Sequence, residues 1–277
     1  MKTMRNPNRA FTLVELIVVL AVIGILAASL LPALARGKSQ TQRLSCSNNL
    51  KQVALAFRTW AIDHDGNTPM SLPSASGGNA DIDVGTRVVT ATQIASRGVS
   101  KIFLTLSNQL TTPKILFCPA EYESSVRQQP ATFAGINTSG TNVVLYTNDL
   151  NMSYFIGVDA KEASPRMFLT GDHNLGSTGP VGGPPPTAFQ TATTASQTPC
   201  VSLGTNFPPN NASVGWMNNM HVQQGNVALA DASVEFFSRS RLQNALKNSG
   251  DHGETAPGYF PVAGACSPAN FNRIQLP

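Results

Sequence analysis

Two hydrophobic regimes run along the first 64 residues. From Leu16 to Leu34 no position is charged, and the run is almost continuously apolar. At about 1.5 Å of rise per residue it is long enough to cross a hydrocarbon layer about 30 Å thick. Beyond Gly37 the pattern changes. Leu50, Val53, Ala54, Phe57, Trp60 and Ala61 recur at three- and four-residue spacing, while Gln40, Gln42, Arg43, Asn48, Lys51, Gln52 and Arg58 lie largely off that stripe. The two patterns predict one long helix over 11–64. Its part to about residue 34 would lie in a membrane, and its second half would be laid against a head built from 65–277. Pro32 is expected to bend it and Gly37 to loosen it. Gly66, in Asp63-His-Asp-Gly-Asn67, stops it.

The rest reads as short elements. Ile102, Phe103, Leu106 and Leu110 share a helical face behind Ser100, and Ile115–Cys118 reads as a buried strand ended by Pro119. Arg87–Ala91 is a second short strand, Ala120–Arg127 a short helix, and 128–142 a loop. The strongest sheet signals are Met152–Val158 with Arg166–Thr170, and Gly225–Ala230 with Ser233–Ser238 turning at Asp231-Ala232. Residues 173–214, with Gly-Gly-Pro-Pro-Pro and a Thr/Ala/Ser run, read as a low-complexity surface excursion. Ser240–Asn248 is a closing helix, and the tail from Gly250 is loop-like. The fold class is therefore α+β: a long N-terminal transmembrane helix packed on a head with an antiparallel sheet.

Charge refines this picture. Lys2, Arg5 and Arg9 stand before the apolar run with no acid among them, which reads as a cytoplasmic flank, although Arg36, Lys38 and Arg43 follow the run. Without the first ten residues the formal charge of +4 falls to +1, so there is no electrostatic case for nucleic acid. The four cysteines, Cys46, Cys118, Cys200 and Cys266, form two disulfides if the head is extracytoplasmic; free buried thiols are the other reading. Of the three connectivities, Cys46–Cys118 with Cys200–Cys266 is preferred.

Glu15 does not fit a plain anchor. A carboxylate in lipid costs roughly 2.5–3.5 kcal/mol, so it is expected to face a partner. The stretch Ala10-Phe11-Thr12-Leu13-Val14-Glu15, followed by an apolar helix with Pro32, resembles the N-terminus of type IV prepilin-like proteins and type II secretion pseudopilins. The resemblance implies a leader, 1–10, cut between Ala10 and Phe11 on the cytoplasmic side, and N-methylation of Phe11. It also implies assembly through Glu15 and a helix bend at Pro32. Ala10 stands where the family prefers Gly. Cys46-Ser-Asn-Asn-Leu-Lys-Gln52, and His221 followed by Asp231 after nine residues, resemble a large-headed branch of the family. That branch usually has Gly after the Asp, where this chain has Ala232. The implied partners are a prepilin peptidase/N-methyltransferase, other pseudopilin subunits and an inner-membrane assembly platform. The implied location is the bacterial inner membrane, single-pass, with the head in the periplasm. Head-to-tail contacts that do not close a ring build a helical filament, and pairing Glu15 with the next subunit's amine would remove both membrane penalties.

The chemistry of the head is sparse. Asp172, His173, His221 and Asp231 are the only His/Asp set worth testing, and His221 with Asp231 is a candidate cation site. The first structural expectation is that Asp231 caps the hairpin turn. Asp63, Asp65 and Asn67 resemble the start of a calcium loop but lack a Glu at its twelfth position. There is no His-Glu-x-x-His, phosphate loop or Gly-x-Ser-x-Gly turn, so no enzyme motif is present and no cofactor is expected. The readings in play are a pilin-like filament subunit, a membrane-anchored binding protein or adhesin using the same targeting route, and an anchored hydrolase. Only the first has specific residues behind it.

Overall fold

The computed structural model describes residues 12–79, 99–121, 127–133, 144–146, 148–178, 187–188, 200–204, 213–250 and 272–277. One helix, α1 (Leu13–Ile62), carries both hydrophobic regimes without a break. The chain divides into two units, 1–41 and 42–277. In the first, the side chains from Leu13 to Leu34 whose surroundings are described are exposed. Pro32 lies inside the helix, and its missing N–H leaves the Ala28 carbonyl without its usual donor. Hydroxyls lend further bonds along this stretch: Ser29 Oγ donates to the Leu26 carbonyl and Thr41 Oγ1 to that of Gly37.

The second unit is layered. Its helices are α2 (Val99–Thr105), α3 (Ser107–Leu110) and α4 (Arg239–Lys247). Its strands are β1 (Thr132–Phe133), β2 (Leu145–Tyr146), β3 (Tyr154–Gly157), β4 (Phe168–Asp172), β5 (Leu175–Thr178), β6 (Thr187–Ala188), β7 (Cys200–Ser202), β8 (Ser213–Trp216), β9 (Gln224–Leu229), β10 (Val234–Ser238) and β11 (Arg273–Gln275). The main sheet runs β10-β9-β4-β3-β11-β7, antiparallel throughout. A second sheet runs β6-β5-β8, and β1 pairs with β2 in parallel.

Strand alternation sorts the main sheet's side chains between two cores. Tyr154, Ile156, Leu169 and Ala228 join Leu50, Val53, Phe57 and Trp60 of α1 and Ile102, Phe103 and Leu106. Phe155, Phe168, Val227 and Leu229 point into the other core, with Leu242 and Leu246 of α4, Trp216 and Ile274. The amphipathic stripe of α1 is thus the cover of one sheet face, and α4 contributes to the cover of the other.

Four expectations are corrected. Ile115–Cys118 is not a strand: Pro113–Leu116 is a 3-10 turn, started by Pro113 and by Thr112, whose hydroxyl accepts from Lys114 N–H. Residues 128–142 are not all loop, since Thr132 and Phe133 form β1. The stretch 173–214 is no mere surface excursion, because it supplies β5, β6, β7 and the start of β8 and buries Leu175, Leu203 and Val214 in the same core as the neighbouring Trp216. The low-complexity centre masked apolar residues at both ends. The tail ends in β11, with Ile274 buried between β3 and β7. Arg87–Ala91 and most of Ala120–Arg127 lie outside the described residues.

The β9–β10 hairpin turns where the sequence places it. Asp231 Oδ1 accepts the Ser233 N–H at 2.8 Å, and Ala232 adopts φ 65°. That left-handed conformation disfavours any Cβ and favours glycine, so Ala232 is held there at a cost. Replacing Ala232 by Gly should therefore raise stability by up to about 1 kcal/mol, and replacing it by Val should lower it by more than that. Chemical-denaturation midpoints of the full chain in detergent micelles would check both. A lower midpoint for Ala232→Gly than for the parent would refute the strain argument.

Candidate functional site

The first candidate lies at the start of α1. Thr12 precedes the helix and Glu15 is its third residue. The Glu15 carboxylate accepts from the Thr12 N–H and from its Oγ1, both at 2.8 Å on Oε2, and the Glu15 N–H reaches back to the Thr12 hydroxyl at 3.3 Å. This is a capping box, in which two groups with no intrahelical partner satisfy each other. The Thr-x-x-Glu spacing signals it, and the box adds a local role for Glu15, with Thr12 as its partner, to the assembly role that the resemblance implies. Ala10 and Phe11 lie outside the described residues. Pro32 lies within the same helix.

The second candidate is a polar cluster buried in the 42–277 unit. Cys46 of α1 and Cys118, just after the 3-10 turn, form a disulfide with a Cα–Cα distance of 5.2 Å. It closes a span of 72 residues, for which loop-closure entropy gives roughly 4 kcal/mol. Cys266 lies outside the described residues, as does the side chain of Cys200. His221, on the turn between β8 and β9, sets its Nε2 3.5 Å from Cys118 Sγ and 3.4 Å from Asp172 Oδ2. Asp172 ends β4 and is fully buried. Its Oδ2 accepts from the backbone N–H and side-chain amide of Asn226, at 2.7 and 3.0 Å. Arg43, three residues before Cys46 on α1, donates to the His221 carbonyl at 3.0 Å and lies over the Phe236 ring.

Burial sets the charge state of this cluster. It pushes Asp172 up to about 7, against the pull of the Asn226 hydrogen bonds. It pulls His221 down to about 4, and the Arg43 guanidinium adds to that shift. At neutral pH the imidazole is therefore neutral. One residue on, His173 Nε2 meets Glu121 at 2.9 Å, both side chains buried. Burial alone would raise Glu121, but His173, a Ser153 hydrogen bond and Arg127 outweigh it and hold the carboxyl at about 2. The structure does not bring His221 to Asp231. Asp231 is exposed, with its carboxylate engaged by Ser233, and the acid beside His221 is Asp172. The sequence placed Asp172, His173 and His221 in one set but gave no sign that Cys118 and Glu121 join it, because those contacts cross the fold.

Glu121 gives a pH signature. Its folded value lies below the ordinary 4.5, so its stabilisation is present above about 4.5 and is lost as pH falls towards 2. The shift corresponds to about 3 kcal/mol. Glu121→Gln should lower stability near neutrality and flatten the difference from the parent as pH drops through that window. Denaturation series from pH 2 to pH 7 would show a constant difference if Glu121 were not ionically engaged.

Comparison with known proteins bears on the first candidate. Residues 5–31 match the prokaryotic N-terminal methylation motif. Over 62 residues the chain is 33% identical to the ComG operon protein 3 homolog of Bacillus licheniformis, covering 22% of this chain and 64% of that protein. Over 61 residues it is 38% identical to the type IV major pilin protein PilA of Myxococcus xanthus, covering 22% of this chain and 28% of that one. The chain thus spans less than two thirds of the length of either relative. No solved structure matches it. By its N-terminal motif and these relatives, the chain is prepilin-like.

Proposed function

We propose that this chain is a pilin-like filament subunit, a pseudopilin of a type II secretion or related system. The observation that carries the proposal is the methylation-motif match over 5–31, joined to an apolar helix that leaves its Leu13–Leu34 stretch exposed. In this reading a prepilin peptidase cuts between Ala10 and Phe11 and the new amine is methylated. The helix to about residue 34 holds the protein in the bacterial inner membrane, with the head on the periplasmic side. An inner-membrane platform then draws the subunit into a filament with other pilin-like subunits. The role is structural rather than enzymatic: the relatives are a pilin and a ComG operon protein, and no nucleophile motif accompanies the buried histidines. No cofactor is required for it.

The capping box sharpens the assembly step. Both local hydrogen bonds fall on Glu15 Oε2, so we assign Oε1 to the Phe11 amine of an adjacent subunit. Two substitutions separate the roles. Glu15→Gln keeps a side chain that can cap, since Gln serves in such boxes, but removes the charge. Glu15→Leu removes both. Breaking one partner of a buried ion pair costs about 3–5 kcal/mol at every subunit contact. Both variants should insert, lose the leader and fold, yet yield no filaments by sedimentation of sheared material, and Glu15→Leu alone should also fray the helix start. Normal filament yield from Glu15→Gln would show that the charge has no pairing role and would favour an anchored binding protein. Mass spectrometry should find a mature N-terminus at N-methylated Phe11; a chain still beginning at Met1 would sink the processing step.

A further inference from the structure

We propose that the reduced chain binds one zinc ion through Cys46, Cys118 and His221, with Asp172 as the fourth ligand, and that this ion and the Cys46–Cys118 disulfide are alternative occupants of one place in the fold. The donor atoms of Cys46, Cys118 and His221 all lie within 4.8 Å of one another, and all three residues are buried. Tetrahedral zinc, with bonds of roughly 2.3 Å to sulfur and 2.0–2.1 Å to nitrogen or oxygen, sets its sulfur–nitrogen edge at roughly 3.5 Å and its nitrogen–oxygen edge at roughly 3.4 Å. The observed separations are 3.5 Å from Cys118 Sγ to His221 Nε2 and 3.4 Å from His221 Nε2 to Asp172 Oδ2. Two edges of the tetrahedron therefore stand at metal-site spacing already. The sulfur–sulfur edge must open to roughly 3.8 Å once the covalent bond is gone, and Asp172, which stands outside the three-residue group, must close on the sulfurs to complete the tetrahedron.

A second observation points the same way. Asp172 Oδ1 is buried and accepts no hydrogen bond among the described residues. An oxygen left so is costly, and a carboxylate that shares a cation between Oδ2 and this atom recovers the cost. The support that metal ligands ordinarily have is also in place. Asn226 holds Asp172 Oδ2 through two donors, and Arg43 holds the His221 carbonyl. Charge balances too: two thiolates and Asp172 carry three negative charges, and zinc with the Arg43 guanidinium carries three positive. Soft thiolates with one imidazole and one carboxylate favour zinc over calcium or magnesium. The expected cation site at His221 thus keeps its histidine and exchanges exposed Asp231 for buried Asp172.

The chemistry closes. A phosphine reductant takes an oxygen atom from water and becomes its oxide, while the two sulfurs gain two electrons and two protons. Zinc then displaces both thiol protons and bonds both sulfurs. Either occupant links Cys46 of α1 to Cys118, so the helix stays tied to the segment after the 3-10 turn on both sides of a redox boundary.

The test uses the full chain in detergent micelles, reduced with a phosphine and titrated anaerobically with Co2+, then Zn2+. One Co2+ per chain is expected, with a thiolate-to-cobalt charge-transfer band that Zn2+ abolishes, and no such band in the oxidised chain. Cys46→Ser/Cys118→Ser should lose the band, and His221→Gln should weaken binding at least tenfold. His221→Gln keeps both cysteines and decides the matter if the serine variant does not fold. A reduced chain that unfolds and regains its circular dichroism on adding Zn2+ supports the site. Absence of the band in the folded reduced chain, or failure of Zn2+ to restore an unfolded one, overturns the proposal. So does a band that survives in the serine variant, which would place the metal on Cys200 and Cys266, or one indifferent to His221→Gln.

Discussion

The stripe of Leu50, Val53, Ala54, Phe57 and Trp60 on α1 is buried against one face of the main sheet, and the head depends on that burial. Each large side chain among them contributes roughly 1.5–3 kcal/mol, so the stripe outweighs any single hydrogen bond or ion pair in the molecule. It also fixes register. Tyr154 and Ile156 must face α1, and a slip of β3 by one residue would present Phe155 to the helix instead. The antiparallel partners of β3 then follow, with Phe155 opposite Gly171 and Ile156 opposite Thr170.

The same packing explains how ionisable groups come to be buried in a chain with only 12% charged residues. Once the sheet and α1 close on each other, Asp172, His173, Glu121 and His221 lie between layers, and each is met by a polar neighbour rather than by water. Glu121 and Asp172 show the two outcomes open to a buried carboxyl. Glu121 has a histidine, a hydroxyl and Arg127 near it and stays ionised. Asp172 has amide donors on one oxygen, and burial prevails over them. Arg127 is itself held by three carbonyls, those of Asp149, Met152 and Pro277, which together join the loop before β3 to the end of β11.

What could be read in the sequence is what local periodicity determines. The helix from Leu13 to Ile62, the β3–β4 and β9–β10 pairs and α4 all carry strong period-3.6 or period-2 signals with turn residues at their ends. Ile115–Cys118 misled because an apolar run of four does not distinguish a strand from a buried turn, and Pro113 decided it. Strands β5, β7, β8 and β11 were hidden because their partners are distant in sequence or their neighbours are rich in Gly, Pro and Thr. In the buried cluster, His221 was legible through its spacing to Asp231, which pointed to the wrong acid. Its neighbours were not, because Cys118 is 103 positions away and no periodicity encodes a tertiary contact. Thr12 was legible and overlooked.

The capping box changes the energetics of the membrane segment. A lone carboxylate within the bilayer costs roughly 2.5–3.5 kcal/mol, which alone would make insertion depend on an external partner. Glu15 receives two hydrogen bonds from Thr12, which give the carboxylate polar partners within its own chain. On the proposed membrane placement these bonds would reduce the insertion cost within a single chain. One of them satisfies a backbone donor that the start of a helix would otherwise leave open. In the proposed function a subunit would then wait in the membrane as a stable monomer, and pairing with a neighbour would be a gain rather than a condition of insertion. On that proposal, solubility in lipid and capacity to assemble would be separable properties of one carboxylate, because the Thr12 bonds occupy Oε2 and leave Oε1 for a partner.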